Sequence, residues 1–232
     1  MQERATPPTI ITFEGLLVIV GGGAVDHDLL RDLYLSGGHL VGADGGADEI
    51  VAAGLLPEAI IGDFDSLKNA DGWLGRTRLL RIPEQETTDF EKALYSTEAP
   101  VTVALGMTGK RFDHTLAALD AVARYGRDRI VVLVDEADLA AALTGSFTFE
   151  VERGERVSVH PLAPIRFRRS RGLKYPLDGV KLAPGERTGT SNEAIDGSFT
   201  ITPEPGAQAP WLLILDRKNI FRLVASLLAG AV

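Results

Sequence analysis

Through the first 135 residues, short apolar runs alternate with amphipathic stretches. The runs LLVIV (16–20), HLVGA (39–43), AII (59–61), RLLRI (78–82), VTVAL (101–105) and IVVLV (130–134) read as strands. Most lack polar alternation, as expected of strands covered on both faces. Between them DHDLLRDLYL (26–35), DFEKALYS (89–96) and HTLAALDAVARY (114–125) repeat their apolar positions at helical spacing. This rhythm predicts an α/β domain with a mostly parallel, doubly wound sheet, a layout that binds ligands beyond the carboxyl ends of its strands.

Beyond about residue 140 the period shortens to two. SFTFEVERGERVSVHPLAP (146–164) alternates around a Glu-Arg-Gly turn, and DGSFTITPEPGAQAPWLLIL (196–215) alternates again. The expectation is a smaller antiparallel all-β sandwich domain over 143–232, following the α/β domain of 1–142. Residues 176–189 read as a long loop, and the tail 217–232 as a strand with a short helix or as helix throughout.

Charge and composition narrow the partners. Thirty-two acidic against 24 basic residues leave a net charge of −8, a poor match for nucleic acid, so no nucleic-acid partner is expected. The basic run RFRRSRGLK (166–174) reads as one strand face and its loop. The chain has no cysteine, which excludes disulfides, zinc thiolates and thiol nucleophiles. MQERATPPTIITFEG lacks the order of a secretory signal, and no run reaches the 18 to 20 apolar residues that span a bilayer. A cytoplasmic protein without membrane contact is expected.

Four segments follow candidate strands directly: GGGA (21–24), ADGGA (43–47), GDFDS (62–66) and GMTGKRFDH (106–114). A fifth, PEQETTDFEKAL (83–94), follows the run at 78–82. GGGA fits either a phosphate approach or a tight turn. Asp44 fits either a ribose or metal-water contact or the cap of the next helix. Extended backbone through GDFDS sends Asp63 and Asp65 to one side and Phe64 to the core. Two such carboxylates suit Mg²⁺, which takes one or two and completes its shell with water and phosphate oxygens; the bland alternative is a solvated turn. Thr87 or Thr88 is placed to cap a helix with Asp89 in its first turn. With Asp44, these acids converge on one crevice, where Lys92, Lys110 and Arg111 provide cations. Acids for a metal, basic groups and glycine turns at one sheet edge describe a phosphoryl-transfer site.

The ordered set ADGGA, GDFDS, PEQETTDFEKAL, GMTGKRFDH, SRGLKYPL (170–177) and GTSNE (189–193) resembles the thiamine pyrophosphokinase (thiamine diphosphokinase) family. The resemblance implies diphosphate transfer from ATP to the hydroxyl of thiamine, with AMP released, and a homodimer with sites between subunits. It implies Asp63, Asp65 and Asp89 as magnesium ligands, and these three with Arg111 as the catalytic set. Around ATP it implies Asp44, Gly45, Gly46, Gln85, Thr88, Lys92, Gly109, Arg111, Asp113 and His114. Ser66, Ser191 and Asn192 are implied at thiamine, the last two in the partner's site. The chain departs from the family at Ala118, where asparagine is common, and at Tyr175-Pro176, where a Trp-Asn pair is common. Trp211, Tyr175 and Phe199 are the aromatic candidates for stacking on the acceptor ring.

Two rival readings make different demands. A magnesium phosphohydrolase with an aspartyl nucleophile needs that acid after the first strand. A non-catalytic nucleotide- or thiamine-binding module tolerates loss of an acid or of Arg111 and Asp113, all of which are present.

Overall fold

A computed structural model describes residues 11–67, 70–73 and 75–230; the first ten residues, on which the signal reading partly rests, lie outside them. The chain divides into two compact units, residues 1–121 with 134–136, and residues 122–133 with 137–232.

In chain order the first unit contains β1 (Ile11–Thr12), β2 (Leu16–Val20), α1 (His27–Leu35), β3 (His39–Ala43), α2 (Gly46–Ala52), β4 (Ala59–Gly62), β5 (Arg78–Arg81), α3 (Asp89–Ser96), β6 (Thr97–Glu98) and β7 (Val101–Leu105), and α4 (Phe112–Tyr125) begins in it. Strands β7, β2, β3, β4 and β5 are neighbours in that order and all parallel. Every residue of β2, β4 and β7 is buried, the physical counterpart of their unbroken apolar runs. Because the strands run one way, the segments after Val20, Ala43, Gly62 and Leu105 emerge at one sheet edge, as the doubly wound reading requires.

Local chemistry sets the helix starts. Asp26 caps α1 by accepting from the backbone N–H groups of Asp28 and Leu29, so that helix begins at His27. Thr88, the second of the two candidates, caps α3 through Glu91 N. Helix α4 begins at Phe112, two residues before the sequence pattern does.

The second unit is antiparallel. It contains most of β8 (Val131–Val134), then β9 (Asp138–Leu143), β10 (Phe147–Glu150), β11 (Arg156–Pro161), β12 (Ile165–Arg171), β13 (Lys181–Leu182), β14 (Gly189–Glu193), β15 (Ser198–Pro203), β16 (Trp211–Asp216) and α5 (Ile220–Gly230). One ladder runs β14-β11-β16-β9 and a separate sheet runs β10-β15-β12-β13. Phe167 of β12 meets Trp211 of β16 edge to face at 5.7 Å, both fully buried, which joins the two layers as a sandwich. Two details differ from the sequence expectation, and the tail follows the helical one of its two readings. DLAAAL forms β9 although its alanines carry little strand propensity; pairing with β16 supplies the order. The expected loop of 176–189 contains β13. The tail is a single 3₁₀ turn, Arg217–Asn219, leading into α5, with no strand of its own. Among the described residues no helix is long and apolar enough to cross a membrane.

Candidate active site

Glycines bring the strand ends together. A Cβ on Gly46 would stand 1.8 Å from the Val20 carbonyl oxygen, and one on Gly23 would stand 2.3 Å from that of Gly106. The first contact lets the start of α2 press against the end of β2; the second holds the GGGA turn on the segment after β7, where Gly23 N donates to Gly106 O at 2.9 Å. Between these turns lies a cavity of about 470 Å³ whose lining includes Gly21, Gly22, Gly23, Asp44, Gly45, Ser66, Thr88, Asp89, Lys110, Arg111, His114 and Ala118. All of it belongs to the first unit.

Three non-glycine residues among those described have positive φ: Asp44 (46°), Phe64 (69°) and Ser191 (58°). Each lies in a different motif of the set singled out in the sequence, and such strain is retained where function over-determines the backbone. Phe64 corrects one expectation. GDFDS is a bend after Gly62 rather than extended chain, and the left-handed turn at Phe64, not strand alternation, presses the ring against the cluster of Ala47, Ile60, Leu67 and Trp73.

The bend delivers the acids. One carboxylate oxygen from each of Asp44, Asp63 and Asp65 lies within 4.8 Å of the others. Asp44 is 2% exposed; its Oδ2 accepts from Ser66 N at 2.9 Å, while its buried Oδ1 has no hydrogen-bond partner. Burial pushes the Asp44 carboxyl above its ordinary pKa, and Asp89 and Asp63 add repulsion. Asp63 is shifted down, first by the hydrogen bond from Gln85 Nε2 at 2.6 Å and then by that from Asp65 N. Its backbone oxygen also accepts from Arg81 Nε at 3.2 Å.

Asp89 stands slightly apart. Lys92, 2% exposed, donates to Asp89 Oδ1 at 3.1 Å and lies 3.7 Å from Asp63 Oδ2. The tightest carboxylate group contains Asp44 with Asp63 and Asp65; Asp89 lies outside it, paired with Lys92. An unpartnered buried oxygen among three convergent carboxylates fits a hard divalent cation.

The cationic wall is more open. Arg111 grips Asp113 through two bonds, Nε to Oδ1 at 3.1 Å and Nη2 to Oδ2 at 2.6 Å, and this holds Asp113 below the ordinary carboxylate range. Lys110 Nζ reaches Gly22 O at 3.0 Å. His114 lies exposed at the cavity's edge. Gln85, Lys92, Asp63, Asp65, Gly109 and Asp113 are not part of the lining, and Gly46 is buried. Asp26, the first acid after β2, caps α1 and does not line the cavity, whereas the phosphohydrolase reading needs a nucleophilic acid there.

Two contributors were not singled out in the sequence. Glu84 folds the 83–88 segment by accepting from Glu86 N, Thr87 N and the Tyr95 hydroxyl, which presents Gln85 and Thr88. Glu49 lines the cavity and is held by His27 at 2.9 Å. A carboxylate two residues before an amide N–H is a readable turn signal; a partner 22 residues away is not.

In the second unit Asn192 is buried, and its side chain clamps Tyr175 on both sides. Its Oδ1 accepts from Tyr175 N at 3.0 Å and its Nδ2 donates to Tyr175 O at 2.7 Å. Ser191 is exposed, with its N–H on Ser158 Oγ at 2.9 Å. Trp211 and Phe199 are core residues at 0% and 1% exposure, whereas Tyr175 is 59% exposed.

Comparison with known proteins places these features in a family context. Residues 31–134 match the family model described as thiamin pyrophosphokinase, catalytic domain. A thiamin pyrophosphokinase of Caenorhabditis elegans is 29% identical over 182 residues, covering 70% of this chain and 74% of the relative. The thiamine pyrophosphokinase of Bacillus subtilis is 25% identical over 177 residues, covering 70% and 81%. Among solved structures, thiamin pyrophosphokinase from Geobacillus thermodenitrificans superposes with a TM-score of 0.70 at 27% identity, covering 87% of this chain and 97% of that one. The yeast enzyme, at 16% identity, shares the fold with a TM-score of 0.68 over 98% and 96% of the two chains.

Proposed function

We infer that this chain, which belongs with the thiamine pyrophosphokinases, is an ATP-dependent diphosphotransferase that moves a diphosphate group from ATP to the hydroxyl of thiamine, with AMP leaving. The observation that carries the reading is the buried, half-unpartnered Asp44 carboxylate beside Asp63 and Asp65 at one end of a parallel sheet, inside the stretch matched by the catalytic-domain model.

The protein's part is largely positioning and electrostatics. We assign a magnesium ion to Asp63 and Asp65 together with Asp44, with Asp89 beside them. Bound there, magnesium would offset charge on the phosphate oxygens. Arg111, oriented by Asp113, and Lys110 face the phosphates, and Lys92 keeps Asp63 and Asp89 in register. Gly45, Gly46, Gly109, Gln85, Thr88 and His114 shape the nucleotide side. The first unit is thereby assigned nucleotide and metal, and the second thiamine and dimerisation. Ser66 serves the acceptor, as do Ser191 and Asn192 in a homodimer. Asn192 acts by holding Tyr175, whose exposed ring is the aromatic left to stack on the acceptor. We place the protein in the cytoplasm.

The test is incubation with ATP, Mg²⁺ and thiamine. AMP and thiamine diphosphate are expected in equal amounts. ADP with thiamine monophosphate, or AMP formed at the same rate without thiamine, would overturn the reaction stated.

A further inference from the structure

Strand β12 reads IRFRRSR and places Arg166, Arg168, Arg169 and Arg171 together in a chain of net charge −8. The pairing with β15 shifts register between Phe167 and Arg169, which leaves Arg168 at the irregularity. Beyond it, Arg169 stands opposite Thr202 and Arg171 opposite Thr200. Phe167 and Ser170 are buried, Ser170 lining the concavity described below with its N–H on Asp178 Oδ1 at 2.6 Å; Arg168, Arg169 and Arg171 are exposed.

The cross-strand partners that stabilise arginines through charge are carboxylates. Here they are hydroxyls, and Thr200 Oγ1 is linked in turn to Thr148 Oγ1 at 2.9 Å. Several other basic groups of this unit are satisfied: Lys174 pairs with Glu193 at 2.9 Å, Lys181 with Glu186 at 3.1 Å, and Arg166 donates to Gly179 O at 2.7 Å. Among the described residues, Arg168, Arg169 and Arg171 have no carboxylate within ion-pair distance. They border, with Thr200 and Thr202, a concavity of about 220 Å³. That is below the roughly 300 Å³ at which pockets for drug-sized ligands begin.

We propose that this face of the sandwich is a binding site for a small anion carrying two linked phosphoryl groups, gripped by the guanidinium forks of Arg168, Arg169 and Arg171 and by the hydroxyls of Thr200 and Thr202. Guanidinium forks match phosphoryl oxygens two at a time, and threonine hydroxyls donate where a carboxylate would repel. A chain this acidic with so confined a concavity does not favour the long backbone of a nucleic acid. The site belongs wholly to the second unit and does not depend on the function proposed above.

The test follows the arginine Nε–Hε resonances of the whole protein during titration with inorganic diphosphate, without metal. Saturable shifts at Arg168, Arg169 and Arg171 are expected, half-complete below about 1 mM and weaker at high salt. The double variant Arg169→Gln/Arg171→Gln, exposed and expected to fold, abolishes them while shifts at Arg111 persist. The variant Arg169→Lys/Arg171→Lys keeps the charge and binds several-fold more weakly. Shifts confined to Arg111, or linear shifts up to about 10 mM, overturn the proposal. So does a duplex oligonucleotide that moves these resonances at concentrations where diphosphate does not.

Discussion

Replacing Asp44 by asparagine is expected to stabilise the metal-free protein while removing its activity. The carboxylate is 2% exposed, leaves Oδ1 without a partner, and lies within 4.8 Å of oxygens from Asp63 and Asp65. At an effective dielectric of 20, two like charges about 5 Å apart repel by about 3 kcal/mol, an upper figure for each pair. Asp65 is exposed and Asp63 only half-buried, so solvent screening reduces the repulsion to about 1 kcal/mol per pair. Asparagine keeps the acceptor for Ser66 N and tolerates the φ of 46°. The expected gain of about 1 to 2 kcal/mol corresponds to a Tm rise of roughly 3 to 6 °C in a chain of this size. Calorimetry in EDTA measures it. Adding Mg²⁺ should raise the Tm of the parent protein and leave that of the variant nearly unchanged, because a ligand stabilises only the state that binds it. Turnover should fall by about 100-fold or more. The parent carries a matching pH signature. Its Asp44 pKa is raised on folding, so the metal-free protein loses stability as pH climbs from 3.8 through the folded value. A metal-free Tm that drops in the variant, or activity within a few fold of the parent, would refute the reasoning.

Three further outcomes are expected. Gln85→Ala removes the main cause of the lowered Asp63 pKa; the acid limb of the pH–rate profile should move to higher pH, since a carboxylate held down contributes only above its folded pKa. Lys92→Met leaves Asp89 and Asp63 without their buried counter-ion, and because both keep some water contact the loss is about 2 kcal/mol rather than the 3 to 5 of a fully buried pair. Denaturant unfolding measures it, and saturating Mg²⁺ should recover part. Gly46→Ala pushes a methyl onto the Val20 carbonyl 1.8 Å away, so at least about 2 kcal/mol of stability and the packing of α2 on β2 should be lost, visible as a lower unfolding midpoint.

Much of the first unit was legible in the chain because its chemistry is local. Unbroken apolar runs mark strands buried on both faces, Thr88 followed by Asp89 marks a helix start, and strand ends in parallel sheets mark the ligand edge. The acids at 44, 63, 65 and 89 were visible for the same reason. How they divide was not. Lys92 reaches Asp89 within one helical turn but reaches Asp63, 29 residues away, only through the fold, and the trio of Asp44, Asp63 and Asp65 likewise joins residues up to 21 apart. Likewise the motif resemblance implied only a place for Asn192 at thiamine, and the folded chain makes it a buried clamp on Tyr175, 17 residues away.

By itself, then, the order of residues determined the class of fold and the sheet edge at which the motif segments gather, since periodicity and motif spacing act over one or two turns of chain. The tertiary structure decided which carboxylates converge, that Phe64 reaches the core through a left-handed bend, and that Arg169 and Arg171 stand opposite hydroxyls instead of acids. Those outcomes depend on distances between segments far apart in sequence, and pairing and burial alone set such distances.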